Sequence, residues 1–170
     1  MSTPAGYTSV TPWIMTDDTR ALLRFVEHAF GGVDAATVPL EDGSVGHAEI
    51  RVGDTVVLAF DRRPDWPRLP AMLRVFVDDA DAATEAALAA GATLVTPLVT
   101  QAFGQRGSRV RDPFGNLWWI TAAIEDVAPD EIARRLAQPA YAEAMHEAQA
   151  SFDREMRGGG PGEASPPVMP

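Results

Sequence analysis

Cysteine and lysine are both missing from this 170-residue chain. Without cysteine there is no disulfide framework, no thiol nucleophile and no thiolate metal site. Without lysine there is neither a Schiff-base amine nor a P-loop cation, and all 14 basic residues are arginine. Positive charge is short overall, because 24 acids outweigh those arginines and leave a net charge of −10 with a pI near 4.6. Nucleic-acid binding needs clustered positive charge, so no such partner is expected. No apolar run approaches the roughly 18 residues that span a bilayer. The first residues, Met1 to Tyr7, lack the basic and apolar regions of a signal peptide. A cytoplasmic protein without a membrane partner is expected.

What the chain does contain is a repeat. Val10-Thr11-Pro12-Trp13-Ile14-Met15-Thr16-Asp17-Asp18 reads as a strand ending in two aspartates, and a helix follows from about Thr19 to Phe30. Its apolar positions Leu22, Leu23, Phe25, Val26, Ala29 and Phe30 keep helical spacing, and Gly31-Gly32 stops it. Three short strands follow, near 34–39, 46–52 and 54–60. The second half repeats the order. Met72 to Val77 is a strand ending in Asp78-Asp79, and an alanine-rich helix over 80–90 is stopped by Gly91. Strands are predicted near 93–97, 106–111 and 117–122. The aspartate pairs recur 61 residues apart and the helix-stopping glycines 60 apart, which argues for duplication.

The expected organisation is therefore a first βαβββ module over 8–61, a proline-rich linker over 62–71 and a second module over 72–126. A helical extension follows over 128–157, broken at Pro139, and residues 158–170 form a tail too poor in apolar groups to order itself. The turn Asp112-Pro113-Phe114-Gly115-Asn116 feeds Leu117-Trp118-Trp119-Ile120, where adjacent indoles must point to opposite faces of a strand. Trp118 is expected against the helices and Trp119 on the other face.

The paired modules and the Asp-Pro-Phe-Gly-Asn-Leu-Trp-Trp-Ile turn resemble the vicinal oxygen chelate superfamily, which includes glyoxalase I, extradiol dioxygenases and bleomycin-binding proteins. Thr11-Pro12-Trp13, Gly43-Ser44-Val45-Gly46-His47-Ala48-Glu49-Ile50 and Arg109-Val110-Arg111-Asp112-Pro113-Phe114-Gly115 look like its PhnB-like branch. The resemblance covers roughly 10–137. It implies an α+β fold in which two βαβββ modules form a cup-shaped mixed β-sheet with helices outside, the C-terminal helices being additional. It also implies a homodimer. Metal-dependent members carry a His/Gln and Glu quartet on the first and last strands of each module. Here those positions fall on Thr11, Met72, Trp119 and Leu58 or Ala59, and a one-residue shift offers only Pro12, Leu73, Trp118 or Ile120. None is a usual ligand for such a metal, so no metal and no cofactor are expected.

Alternation sorts the strands in parallel with that resemblance. Thr11, Trp13 and Met15 share one face, as do Met72, Arg74 and Phe76, and as do His47, Glu49 and Arg51. On a cup these residues, with Leu117 and Trp119, line an aromatic pocket containing a few ionisable groups. The candidate ligand-binding residues are Thr11, Trp13, Met15, Met72, Arg74, Phe76, Phe103, Arg106, Arg109 and Trp119. Arginine suits an anionic or carbonyl-rich ligand or, equally, pairing with one of the many aspartates at the rim, and the aromatic rings suit a planar ligand or core filling between the modules. The segment Gln101 to Arg106 reads as a long glycine-containing loop that closes over a ligand or serves as an ordinary connector or dimer contact. His47 and Glu49, two apart on one strand, are the candidate catalytic pair, since a carboxylate there can orient or charge the imidazole. Against this stands a structural histidine in a sheet, with Glu49 paired to an arginine. His28 and His146 fit solvent-facing or structural positions.

Three readings follow. The first is a metal-independent binder of a small aromatic or carbonyl-rich molecule with a resistance or secondary-metabolism role. The second is a metal-independent isomerase, cyclase or lyase using His47 and Glu49. The third, a metal-dependent glyoxalase-like lyase, needs unusual ligands such as those same two residues.

Overall fold

The computed structural model describes residues 3, 4 and 6–159. Its element order is β1 (Trp13–Thr16), α1 (Thr19–Phe30), β2 (Val33–Pro39), β3 (Val45–Val52), β4 (Thr55–Asp61), β5 (Met72–Phe76), α2 (Ala80–Ala89), β6 (Thr93–Thr100), β7 (Gln105–Arg111), β8 (Leu117–Ala123), α3 (Pro129–Leu136) and α4 (Pro139–Arg154). The expected tail lies almost wholly outside the described residues. The first strand starts at Trp13, three residues later than the sequence reading.

Each module makes one four-stranded sheet, ordered β1-β4-β3-β2 and β5-β8-β7-β6. In both, the first strand runs parallel to the last, and the remaining pairs are antiparallel. The duplication is visible in the caps. Asp18 and Asp79 begin the two helices, accepting hydrogen bonds from the backbone N–H groups of Ala21 (2.9 Å) and Ala82 (3.0 Å). The helix stop at Gly31 is left-handed, with φ of 66°, as is the following turn at Gly91, with φ of 97°. Such a cap contributes about 1 kcal/mol. Asp18→Ala and Asp79→Ala should therefore each lower unfolding free energy by about that amount, checked by urea unfolding.

Helices α1 and α2 cover one face of the sheets. Leu22, Leu23, Phe25 and Val26 of α1 pack with Ile14, Ile50, Val57 and Ala59. That core continues without a break into Ala80, Ala87, Val110, Trp118 and Ile120 of the second module. Trp118 is buried against Phe30, with ring centroids 4.8 Å apart, as its alternation requires. The opposite face of each sheet is the concave one. There Trp13 is 58% exposed, and Met72 and Phe76 are each 60% exposed.

Pro139 does divide the C-terminal helical region, and α4 folds back on its own chain. Ala148 and Ser151 bury against β6, where the Ser151 and Thr96 hydroxyls lie 2.9 Å apart. Glu155 just beyond α4 forms an ion pair with Arg111 of β7. Among the described residues, no helix is long and apolar enough to cross a membrane.

Candidate ligand-binding site

Strand register decides which side chains share the concave face. In the first module Trp13 pairs with Leu58 and Met15 with Phe60, while Leu58 in turn faces Glu49. Leu58, rather than Ala59, therefore looks into the half-cup, and Ala59 joins Ile14 in the core. His47 lies on the same face through its partner Val38. An aromatic run results: Trp13 is edge-on to Phe60 at 5.4 Å and to His47 at 6.4 Å, and Phe60 is edge-on to Trp66 at 6.2 Å. A cleft of about 730 Å³ opens beside Phe60 and Trp66, bounded also by Leu40 and Gly46. Phe60 and Trp66 escaped the sequence reading. The only signals were an aromatic residue inside a proline-rich linker and a phenylalanine at the end of an apolar strand.

His47 and Glu49 meet as expected, with Nε2 3.0 Å from Oε1. This contact comes first among the causes that hold the Glu49 carboxyl below the ordinary carboxylate range, followed by a hydrogen bond from the Tyr7 phenol. The Glu49 carboxylate in turn raises the phenol's pKa. Tyr7 belongs to an N-terminal segment laid along the first half-cup, where Arg51 Nη1 donates to the Gly6 carbonyl at 3.1 Å. Nothing in the sequence pattern tied Tyr7 to Glu49. Because the imidazole is the first cause, His47→Ala should move the Glu49 pKa back upward. Carboxyl-carbon NMR titration checks this, and an unmoved titration would contradict the pairing. Thr11 precedes β1, and its hydroxyl sits 3.4 Å from the Thr8 carbonyl.

The second module builds a different arrangement. Arg74 pairs in register with Trp119, and Trp119 with Arg109. The guanidinium of Arg74 lies 4.1 Å from the Trp119 ring centroid and 4.7 Å from that of Phe76. The guanidinium of Arg109 lies 4.7 Å from Trp119 and 4.8 Å from Phe152 of α4. Phe76, Arg74, Trp119, Arg109 and Phe152 thus alternate ring and cation across the concave face. Arg109 Nη1 also donates to the Ala148 carbonyl at 2.8 Å, which ties α4 to the same stack.

Two expectations require correction. Arg106 is not a cup residue: it alternates onto the helix side of β7 and grips Asp81 of α2 with two hydrogen bonds of 2.6 Å. That pairing holds the Asp81 carboxyl below its ordinary range. The segment before it is no long loop. β6 and β7 are joined by the tight turn Gln101–Gly104, closed by Gln101 N–H to the Gln105 carbonyl and Gly104 N–H to the Gln101 carbonyl. Phe103 sits half-buried in that turn and joins none of the ring stacks among the described residues. His28 and His146 are exposed on their helices.

The remaining candidates form two groups, Trp13, Met15, His47 and Glu49 on one sheet and Met72, Arg74, Phe76, Arg109 and Trp119 on the other. No ring stack or side-chain hydrogen bond joins the groups among the described residues. No cluster of three or more His, Asp or Glu able to hold a metal ion occurs among them either.

A family model described as the Glyoxalase/Bleomycin resistance protein/Dioxygenase superfamily matches residues 7–120. An uncharacterised protein of Mycobacterium bovis is 33% identical over 138 residues, covering 73% of this chain and 89% of the relative. A Mycobacterium tuberculosis relative has the same identity and covers 79% of its own length. Among solved structures, TioX from Micromonospora sp. ML1 matches with a TM-score of 0.58 at 24% identity, covering 69% of this chain and 99% of that one. The PhnB protein from Bacillus cereus matches with a TM-score of 0.55 at 16% identity, covering 68% and 100%. At these identities the likeness to the solved structures is one of fold.

Proposed function

This chain belongs to the glyoxalase/bleomycin resistance protein/dioxygenase superfamily, and from that premise we propose that it binds a small aromatic or carbonyl-rich molecule in its cup without a metal. The observation that carries this reading is the aromatic character of the two concave faces, open to solvent at Trp13, Met72 and Phe76 and covered by α4 at the Arg109 end of the second. Soluble chains rarely leave such rings exposed unless something covers them. At the positions where metal-dependent relatives place ligands stand Thr11, Met72, Leu58 and Trp119, a hydroxyl, a thioether, an aliphatic chain and an indole. Those groups do not fit a divalent ion of the kind that His, Gln and Glu hold. A resistance or secondary-metabolism role suits a binder of this type.

Each module presents only half a cup, so a second copy of the chain is the natural closing element, with one protomer's first module facing its partner's second. Exposed Trp13, Met72 and Phe76 are the surfaces such a homodimer would enclose. Native mass spectrometry of the purified protein tests the reading: a dimer retaining a small organic molecule is expected. A bare monomer that takes up no aromatic compound would contradict it.

A second reading, an isomerase, cyclase or lyase, is favoured by one contact, the 3.0 Å approach of His47 to Glu49 on the same face. In it the imidazole moves a proton, Glu49 orients the ring, and an arginine steadies developing negative charge on the substrate. His47→Ala should then abolish turnover while leaving affinity nearly intact, and unchanged turnover would remove the assignment.

A further inference from the structure

The arginines of this chain divide into two kinds. Arg62, Arg68, Arg106, Arg111, Arg134, Arg135 and Arg154 each hold a carboxylate, as an acid-rich chain allows. Of the arginines that hold none among the described residues, Arg74 and Arg109 are the two whose guanidinium groups lie over Trp119. Arg74 donates from Nε to the Thr121 hydroxyl at 3.4 Å and from Nη2 to the Gln105 side chain. Arg109 donates from Nη1 to the Thr96 hydroxyl and the Ala148 carbonyl, and its buried Nε has no partner. All of these acceptors are neutral.

This placement is costly. Both guanidiniums are partly withdrawn from water, and burial lowers the pKa of each, with the charge of Arg74 adding to the effect at Arg109. Two like charges lie 4.1 and 4.7 Å from the centroid of one indole with no carboxylate partner among the described residues, in a protein that has acids to spare. Ring faces attract cations but supply no neutralising charge and no in-plane acceptor for the guanidinium edges. A carboxylate supplies both, in a geometry that matches a guanidinium fork.

Resting on the reading of the cup as a ligand site, we infer that the second half-cup recognises the carboxylate of an aromatic acid. Arg74, exposed on the open face, is the anchoring residue, and the exposed Phe76 lies against the ligand's ring. Arg109 adds long-range attraction from behind Trp119. The first half-cup, with Trp13 and Phe60, then receives the uncharged end of the molecule.

A matched pair of probes isolates the charge: 2-naphthoate and its neutral counterpart 2-naphthamide, titrated calorimetrically into the intact protein. Wild type should bind the carboxylate at least about tenfold more tightly than the amide. Arg74→Met should remove most of that preference by weakening carboxylate binding, with Arg109 supplying what remains. Arg106→Met, which removes the same charge from a residue facing the helices, should keep it. The unliganded Arg74→Met protein should unfold at the wild-type temperature or above, because it loses one of two uncompensated like charges. A lowered midpoint would mark Arg74 as structural and overturn the assignment. Equal affinity for both probes, or a preference undiminished in Arg74→Met, would also overturn it. If the equal affinities fall together in Trp13→Ala, anion recognition fails while the cup itself stands. If neither probe binds, both readings fall.

Discussion

Replacing Asp112 by alanine should cost about 3–5 kcal/mol of unfolding free energy, the largest loss expected of any single side chain outside the apolar core. Asp112 is buried in the turn before β8, and its two oxygens serve four donors. Oδ1 accepts from the backbone N–H groups of Phe114 and Asn116, at 2.9 and 2.8 Å. Oδ2 accepts from Asn116 Nδ2 and Trp118 Nε1, at 2.8 and 2.9 Å. Burial raises the pKa of this carboxyl, and the Trp118 and Asn116 bonds oppose that rise. Alanine leaves buried donors unmatched at about 1–3 kcal/mol each, partly offset because a desolvated carboxylate is removed as well. Asn116 also holds Ala71 N–H at 2.9 Å, so the damage spreads to the entrance of β5. Asp112→Asn should still cost about 2 kcal/mol, since its amide turns a donor towards donors. Denaturant unfolding measures both variants, and a loss below about 1 kcal/mol for alanine would contradict this role. The consequence reaches the site, because this turn fixes the register of β8. A one-residue slip would exchange Trp118 with Trp119 between core and cup.

Trp13→Ala should weaken an aromatic ligand by about ten- to a hundredfold, the loss expected of a central aromatic anchor. Its ring is more than half exposed, yet it is held edge-on by Phe60 and His47. It is therefore positioned in advance while contributing little to the core. Stability should change by under about 1 kcal/mol, which separates a binding defect from a folding one. His47→Ala should leave affinity within about threefold, because the imidazole is at the edge of the stack. Titration of 2-naphthamide into each variant, followed by calorimetry, provides the check. Undiminished affinity in Trp13→Ala would mean that ligand does not enter the first half-cup.

Much of this architecture is legible in the sequence because the two modules mark themselves with the same local chemistry. Asp18 and Asp79 cap helices, Gly31 and Gly91 supply left-handed stops or turns, and Trp13 and Arg74 fall at equivalent places beside Leu58 and Trp119. Alternation works wherever one face is apolar, as in β1 and β5. It fails in β7, Gln105 to Arg111, which is polar on both faces. Only the structure turns Arg106 towards Asp81 of α2 and Arg109 towards α4. The spacing of Ala140, Ala144, Met145, Ala148 and Phe152 shows an amphipathic helix but cannot say what it covers. The answer, the second module's own sheet, depends on the Arg109 contact with the Ala148 carbonyl and the Thr96–Ser151 pair, both between residues distant in sequence. The Tyr7–Glu49 bond escapes for the same reason. Two similar modules likewise do not reveal whether their half-cups close on each other within one chain.

If the proposed cup works through ring faces and guanidinium groups in place of a metal, the purified protein should hold no stoichiometric metal. Elemental analysis of the purified protein, after expression in medium supplied with nickel, zinc, manganese and iron, tests it most directly. The expected result is far less than one metal ion per chain, in a protein that still binds aromatic ligand. One tightly held ion per chain, lost together with ligand binding on chelation, would contradict the account and assign His47 and Glu49 as its ligands.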